Sequence, residues 1–170
     1  MGATSPTRGW PGEVVLAYEA GVSAHTLVTH LQIEPTTRCN FTCGFCCGRT
    51  MDQSDLEFAT FERALAAFPS LLQMDLQGEG EPLMHPRFFD MLALARRRGI
   101  AVSFITNGSL LSGEAVAQIL DAGVEKISVS MESADSDSFR EIRGGKLEKV
   151  LAGIERLLGE RAARKLQRPV

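Results

Sequence analysis

Short apolar and β-branched runs alternate with longer helix-forming segments from Leu31 onward, and this alternation restricts the fold more than any other feature. The runs predict four strands, at residues 31–34, 72–77, 101–106 and 126–131. The other segments predict four helices, at about residues 58–67, 87–98, 114–122 and 146–161. Strands and helices that alternate in this way form right-handed βαβ units around a parallel sheet. The sequence therefore predicts an α/β fold with about four βα units.

Residues that start or stop helices lie near the ends of these segments. Pro86 suits the first turn of the second helix, and Gly99 suits its end. Ser112 and Gly123 bracket the third helix in the same manner.

Chemically distinctive residues follow every predicted strand. They are the cysteines at 39–46, the glycine- and glutamate-rich residues 78–82, the Thr-Asn-Gly at 106–108, and Ser128, Ser130 and Glu132. Carboxyl ends of parallel strands meet at one edge of a sheet, where α/β proteins build their sites. The sequence therefore predicts one site at this edge.

Three of the four cysteines, Cys39, Cys43 and Cys46, have CxxxCxxC spacing. Three thiolates can bind three irons of a [4Fe–4S] cluster and leave the fourth iron open for a ligand. A structural zinc site takes four ligands, but no second CxxC follows and Cys47 cannot easily share an ion with Cys46. His85 could be a distant fourth ligand. Inert buried thiols are the third interpretation. The spacing favours the cluster, with Cys47 as a small packed side chain.

Together with the motifs below, this spacing resembles the radical S-adenosylmethionine (SAM) superfamily over roughly residues 31–149. The resemblance implies that the three cysteines bind the cluster and that its open iron chelates the amino and carboxylate groups of SAM. It implies reductive cleavage of SAM to a 5′-deoxyadenosyl radical, with an electron donor such as flavodoxin or ferredoxin. Phe45 resembles the family's aromatic position beside the adenine. The implied fold is a partial parallel (β/α) barrel.

Residues 78–82, Gly-Glu-Gly-Glu-Pro, resemble the Gly-Gly-Glu-Pro motif of this family, which receives the amino group of SAM. Glycine lets a backbone approach a ligand closely, and a carboxylate suits an ammonium group. Gly80 and Glu81 match the motif, whereas Glu79 stands where the family has its first glycine. The alternative interpretation is a solvated acidic turn.

Other resemblances to SAM-binding positions come later in the chain. Asn107 matches a position near SAM, Ser130 and Glu132 match positions that bind the ribose hydroxyls, and Arg143, in Ile-Arg-Gly, matches an arginine near the SAM carboxylate. The alternatives are a favoured Asn-Gly turn, polar side chains in solvent and a cation at a helix end.

Composition excludes several classes of partner. The 18 Lys and Arg residues against 21 Asp and Glu give a net charge of −3, so no broad positive field favours nucleic acid or an anionic membrane. A helix needs about 20 apolar residues to span a bilayer, and no apolar run in the sequence is that long. No signal peptide is recognisable. Four clustered cysteines without an export signal favour a reducing compartment. We therefore expect a cytoplasmic protein that binds neither nucleic acid nor membrane.

The chain divides into residues 1–30, expected to form a loose tail with a short helix near residues 14–21, and residues 31–170, expected to form the partial barrel. A radical SAM barrel normally has six βα units, and this sequence ends about where a fifth strand should begin. We therefore expect a truncated barrel with an unpaired strand edge.

Two functions remain open at this point. The first is a radical SAM enzyme, or its cofactor-binding half, with a peptide or protein substrate favoured by similarity to the SPASM, peptide-modifying branch. The second is a noncatalytic Fe–S or zinc module that acts through a partner.

Overall fold

The fold is built around one parallel sheet in a computed structural model that describes residues 27–170. Its strand order is β1-β2-β3-β4, with strands at His30–Ile33, Gln73–Leu76, Ala101–Thr106 and Lys126–Val129. This topology confirms the predicted α/β fold, an unclosed partial barrel of four βα units. Strand β3 has its predicted bounds. The short helix expected near residues 14–21 lies outside the described residues.

Helices connect and follow the strands. They are α1 to α5, at Phe58–Ala67, Phe88–Arg97, Gly113–Ala122, Ser136–Arg143 and Leu147–Ala163. Short 3-10 helices lie at Cys47–Thr50 and Pro82–Met84. None of the helices in the described part of the chain is long and apolar enough to cross a membrane.

The helix boundaries confirm the predicted ends of α3 and correct the prediction for Pro86. Ser112 caps α3 by accepting a hydrogen bond from the Ala115 amide at 3.1 Å, and Gly123 ends α3 in the left-handed conformation. The prediction that Pro86 lies in the first turn of α2 is wrong, because α2 begins at Phe88. The His85 ring and carbonyl accept hydrogen bonds from the amides of Arg87 and Phe88 at 3.0 and 3.1 Å, so a separate turn precedes the helix.

The two faces of the sheet differ in chemistry because side chains alternate along each strand. The outer face is apolar, and its Met74, Leu76, Val102 and Phe104 are buried against residues of α1, α2, α3 and α5. The opposite surface, here called the inner face, carries His30, Gln32, Gln73, Asp75, Ser103, Ile105, Lys126 and Ser128, none of which is buried.

The edge of β4, which the sequence predicts to be unpaired, is paired at one point. The Val170 amide donates to the Glu125 carbonyl at 3.1 Å, and the Val170 carbonyl accepts from the Ile127 amide at 3.0 Å. These two hydrogen bonds have the pattern of a parallel β-bridge. The backbone of β4 therefore pairs with Val170 on the edge that faces away from β3.

Candidate functional site

A cavity of about 380 Å³ lies at the carboxyl edge of the sheet. Nine of the ten predicted site residues line it: Cys39, Cys43, Phe45, Cys46, Gly80, Glu81, Asn107, Ser130 and Arg143. The tenth, Glu132, does not line the cavity but contacts Arg143. The parallel register aligns the ends of the strands, so segments distant in sequence meet here. This volume falls within the range of small-molecule sites.

The thiols of the CxxxCxxC motif have polar neighbours at the cavity wall. The Cys43 thiol lies 3.5 Å from the Arg143 carbonyl oxygen, and the Cys46 sulfur lies 3.4 Å from a Glu79 carboxylate oxygen. The Cys39 sulfur lies 3.9 Å from the side-chain amide nitrogen of Asn107. Cys47 is exposed and is not among the described residues that line the cavity.

Burial raises the pKa of two of these thiols above its ordinary value. Burial raises the pKa of Cys39, with a further rise from the Glu81 charge, and it raises the pKa of Cys43 against the opposing effect of the Arg143 charge. Iron binds the thiolate form, so metal uptake at this wall must release protons.

The zinc interpretation finds no support in the neighbourhood of His85. This side chain is buried, its Nε2 lies 3.0 Å from the Leu56 carbonyl oxygen, and its Nδ1 accepts from the Arg87 amide at 3.0 Å. Both ring nitrogens are therefore occupied by the backbone. Within residues 27–170, no group of three or more His, Cys, Asp and Glu side chains, the three motif cysteines included, is arranged to hold a metal ion.

Gly80 brings the turn after β2 against the chain that precedes Cys39. The Glu81 amide donates to the Arg38 carbonyl oxygen at 2.8 Å. A Cβ atom on Gly80 would overlap the Thr36 carbonyl oxygen and would lie 2.8 Å from that of Arg38. These obstacles are backbone atoms, so glycine is required for this close approach.

Arg38, which the sequence reasoning missed, fixes the start of the cysteine motif. Its guanidinium contacts both carboxylate oxygens of Asp55 at 3.0 Å and donates to the Met84 carbonyl oxygen at 2.8 Å. Bidentate contact with a carboxylate defines the orientation of arginine. The available signal was its position directly before Cys39.

The end of α4 supports the other side of the cysteine motif. The carbonyl oxygens of Ile142 and Arg143 accept hydrogen bonds from the amides of Gly44 and Thr42 at 3.1 and 3.2 Å. Gly145 packs against Phe41 so closely that a Cβ atom at this position would overlap the aromatic ring. The motif is thus held by segments from both halves of the described chain.

Glu81 is buried and accepts hydrogen bonds from three donors. Its carboxylate accepts from the Asn107 amide at 2.6 Å, the Thr106 hydroxyl at 2.7 Å and the Leu83 amide at 3.3 Å. Burial raises the pKa of Glu81 despite these hydrogen bonds. A carboxylate has about four acceptor sites, so capacity for one further donor remains.

Glu34 and Asn107 organise the backbone around this carboxylate. Glu34, also missed from the sequence, accepts from the amides of Glu79 and Gly80 at 2.6 and 3.3 Å. The Asn107 side chain donates to Asn40 and accepts from the Ser109 amide, each at 2.9 Å. The position of Glu34 at the end of β1 was the signal that could have revealed it.

Arg143 provides the cationic wall of the cavity. Its Nε lies 3.2 Å from one Glu132 carboxylate oxygen, and its Nη1 donates to the other at 3.3 Å. Nε is buried and makes no hydrogen bond of good geometry. The guanidinium carbon lies 5.8 Å from the ring centroid of Phe45, which is 64% exposed. Phe45 and the guanidinium therefore present ring and charge to a ligand in the cavity.

Comparisons with known proteins identify the family of the chain. The family model described as the Radical SAM superfamily matches residues 33–161. A cofactor-modifying protein for the tungsten-containing aldehyde ferredoxin oxidoreductase of Pyrococcus furiosus is 34% identical over 108 residues, which are 61% of this chain and 30% of that protein. The GTP 3′,8-cyclase of Rhizobium etli is 34% identical over 142 residues, covering 75% of this chain and 39% of the cyclase.

Solved structures show the same fold. SuiB from Streptococcus suis, solved bound to S-adenosylmethionine, has a TM-score of 0.65 at 18% identity and covers 83% of this chain and 34% of SuiB. SuiB bound to its precursor peptide SuiA also gives a TM-score of 0.65, at 17% identity, covering 92% of this chain and 38% of SuiB. The chain thus spans between 30% and 39% of the length of these proteins. The chain belongs to the radical SAM superfamily.

Proposed function

We propose that this chain is the cofactor-binding part of a radical SAM enzyme that begins its reaction by hydrogen abstraction. The observation that carries the proposal is that Cys39, Cys43 and Cys46 line one cavity together with Glu81 and Arg143. Three thiolates are a soft ligand set that suits an Fe–S cluster. The adjoining carboxylate and guanidinium suit the ammonium and carboxylate of an amino acid.

In this proposal Cys39, Cys43 and Cys46 would hold a [4Fe–4S] cluster beside the site for SAM. When bound, the cluster supplies the electron for reductive cleavage of SAM to a 5′-deoxyadenosyl radical. Gly80 and Glu81 receive the SAM amino group, and the remaining acceptor site of Glu81 has the right chemistry for it. Arg143 faces the SAM carboxylate.

The nucleoside of SAM is assigned to the part of the cavity lined by Phe45 and Ser130. The exposed ring of Phe45 packs beside the adenine. Ser130 and Glu132 bond the ribose hydroxyls, with Glu132 oriented by its ion pair with Arg143. Asn107 positions the motif through Asn40 and keeps Glu81 in place through its backbone amide.

We further propose a peptide or protein substrate and a cytoplasmic location. The structural similarity to SuiB bound to a precursor peptide supports the substrate class, whereas GTP 3′,8-cyclase represents another class among the relatives. The electron donor is a small redox protein such as flavodoxin or ferredoxin, because the cluster must receive one electron at a time.

The test is anaerobic reconstitution with iron and sulfide, followed by metal analysis and SAM binding. We expect about four irons per chain, binding of SAM, and slow release of 5′-deoxyadenosine after chemical reduction. The Cys39→Ala variant should lose the iron, whereas the matched Cys47→Ala variant should retain it.

The noncatalytic alternatives give different results in the same samples. Stoichiometric zinc in place of iron would identify a zinc module. An intact cluster without SAM binding would identify an Fe–S module and would overturn the proposal.

A further inference from the structure

The carboxylate of Glu79 lies beside the third cysteine of the CxxxCxxC motif. One of its oxygens accepts a hydrogen bond from the Cys46 thiol at 3.4 Å, and Glu79 also lines the cavity. Iron binds cysteine as the thiolate, so this proton is lost when Cys46 becomes a cluster ligand. A carboxylate then remains next to a ligand sulfur with no proton between them.

Two backbone features hold Glu79 at this place. Its amide donates to the Glu34 carboxylate at 2.6 Å. On the other side lies Gly48, where an added Cβ atom would be 2.9 Å from the Glu79 Cβ and 3.3 Å from the Cys46 sulfur. The first distance is too short for a Cβ atom, so the missing side chain at position 48 is what lets Glu79 approach the cysteine.

The cavity offers little positive charge to balance this carboxylate. Its charged lining residues in the described chain are Glu79, Glu81 and Arg143. The Arg143 guanidinium already lies 3.2 Å from a carboxylate oxygen of Glu132. Among the side chains that the structure describes, no ion pair involves Glu79. Glu79 therefore adds an unbalanced negative charge beside the cysteines.

A negative charge at this distance opposes electron addition to an Fe–S cluster. Reduction converts [4Fe–4S]²⁺ to [4Fe–4S]⁺ by the gain of one electron, and it makes or breaks no bond in the protein. The reduction potential of a cluster depends on the charge around it, on contacts to its sulfurs and on solvent exposure. Coulombic repulsion at such short range persists in water, although salt screens it at an exposed site.

Resting on the function proposed above, we infer that Glu79 lowers the reduction potential of the cluster and thereby sets the strength of the electron donor that this chain requires. Glu79 is a positioning residue that acts through Cys46 and needs no contact with SAM. With a neutral residue at position 79, a larger fraction of the clusters is reduced at the same donor potential. The carboxylate thus favours a donor of low potential and limits reduction by weaker one-electron donors.

The test is a redox titration of reconstituted chains without SAM, with the reduced cluster measured by electron paramagnetic resonance. At the potential that half-reduces the unaltered chain, Glu79→Gln and Glu79→Gly should raise the ratio of reduced to oxidised cluster at least fivefold. Glu79→Asp keeps the charge, and Glu155→Gln removes a charge from an exposed site on α5, so each should change the ratio less than twofold. High salt should shrink the effect of Glu79→Gln.

Gly48→Ala tests the contact while the carboxylate is kept. The added methyl group must displace Glu79 from Cys46, so we expect the ratio to rise at least threefold. Gly44→Ala is the matched control in the same motif, because a Cβ atom at this position meets nothing within 4 Å. It should change the ratio less than twofold.

Several outcomes would overturn this inference. They are equal ratios in Glu79→Gln and the unaltered chain, an equal rise in Glu79→Asp and Glu79→Gln, or an unchanged ratio in Gly48→Ala. Loss of iron in both Glu79→Gln and Glu79→Gly would also overturn it, because Glu79 would then support cluster assembly.

Iron content and SAM binding are measured on the same preparations. An unaltered chain that lacks the cluster or does not bind SAM would overturn the proposed function together with this inference. Normal iron content and SAM binding with unchanged potentials would overturn this inference alone.

Discussion

The apolar core and the cysteine loop, defined as residues 36–55, are held by different kinds of contact. In the core, Phe88 and Phe104 are almost completely buried and their ring centroids lie 5.2 Å apart. The loop contains exposed side chains and is held by Arg38, by hydrogen bonds to the end of α4, and by close approaches at Gly80 and Gly145. Burial of apolar area is the main source of stability in the first region. In the second region, apolar burial comes from Phe41 and Cys43 against a small separate cluster, and hydrogen bonds and close backbone approaches hold the remainder.

This difference predicts that stability and iron binding can be changed independently. A core change removes many dispersion contacts and lowers the free energy of unfolding. A change in the loop moves a few atoms that align the cysteines, and it affects iron binding more than global stability. The following variants test that separation, from the largest expected effect to the smallest.

The largest effect is expected from loss of a cysteine ligand. Cys39→Ala, Cys43→Ala or Cys46→Ala should abolish iron incorporation, because two remaining thiolates do not hold the proposed cluster. Cys47→Ala should retain it, since this exposed side chain does not line the cavity. Iron and sulfide analysis after reconstitution measures the result. Equal iron loss in all four variants would disprove the assignment.

Phe104→Ala should produce the largest loss of stability. Removal of a buried phenylalanine side chain costs about 3–5 kcal/mol of unfolding free energy. Phe45→Ala is the matched control, and its exposed ring should contribute far less to stability. Urea denaturation of the metal-free chains measures both values. Similar losses in the two variants would show that the loop and the core are not energetically separate.

Gly80→Ala should impair iron binding while the core remains folded. The added methyl group overlaps a backbone carbonyl and must displace the turn or the chain before Cys39. Overpacking of this kind costs about 1–3 kcal/mol. Gly44→Ala is the control inside the same loop, because a Cβ atom at this position meets nothing within 4 Å. Iron content and denaturant midpoint are compared for both variants, and equal iron content would contradict the requirement for glycine.

Glu81→Gln should weaken SAM binding in the cluster-loaded chain. The substitution removes the proposed charge-assisted contact with SAM. It also places an amide donor among the Asn107, Thr106 and Leu83 donors. We expect the free energy of SAM binding to weaken by about 1–3 kcal/mol. Exposed Glu155→Gln provides the control. Equilibrium binding of SAM, with iron content measured on the same samples, separates this effect from cluster loss. Unchanged affinity would restrict Glu81 to a structural role.

The smallest effect is expected at Asp55 and depends on pH. Burial opposes ionisation, but the Thr36 hydroxyl and the Arg38 guanidinium lower the pKa of Asp55 below its ordinary value of 3.8. The folded-state pKa is thus below the unfolded one, so the stabilisation is present above the unfolded value and is lost as the pH falls through the folded value.

Asp55→Asn should therefore reduce stability at pH 7 by less than about 1 kcal/mol, and the difference should disappear in acid. Denaturation of both chains at several pH values measures the difference. A difference that grows as the pH falls below 4 would contradict the sign of the proposed linkage.

Local patterns predicted most of the framework. The bounds of α1 and β3 match the structure because their apolar periodicity is regular and no special turn interrupts it. The missed helix, α4, is short and mostly polar, and Phe139 and Ile142 are its only apolar residues. Its signals are the caps: Asp135 accepts from the Ser138 amide at 2.9 Å, and Gly144 has a φ of 69°.

The convergence of the site residues at one edge of the sheet could also be predicted from the sequence. The contacts that hold these residues in place could not. The expected residues line one cavity because strand order and parallel register bring the strand ends together. The contacts of Glu34 with Gly80 and of Arg38 with Asp55 depend on the path of two loops. Loop paths are determined by tertiary packing, which sequence periodicity does not encode.

The support of the cysteine loop by the end of α4 has a consequence for the timing of assembly during synthesis. Cys43 and its partner Arg143 are 100 residues apart in the chain. At a translation rate of about 5–20 residues per second, the cysteines precede this support by about 5–20 s. During this interval their loop lacks the carbonyl partners from α4. We therefore expect stable iron binding by the loop only after α4 has been synthesised.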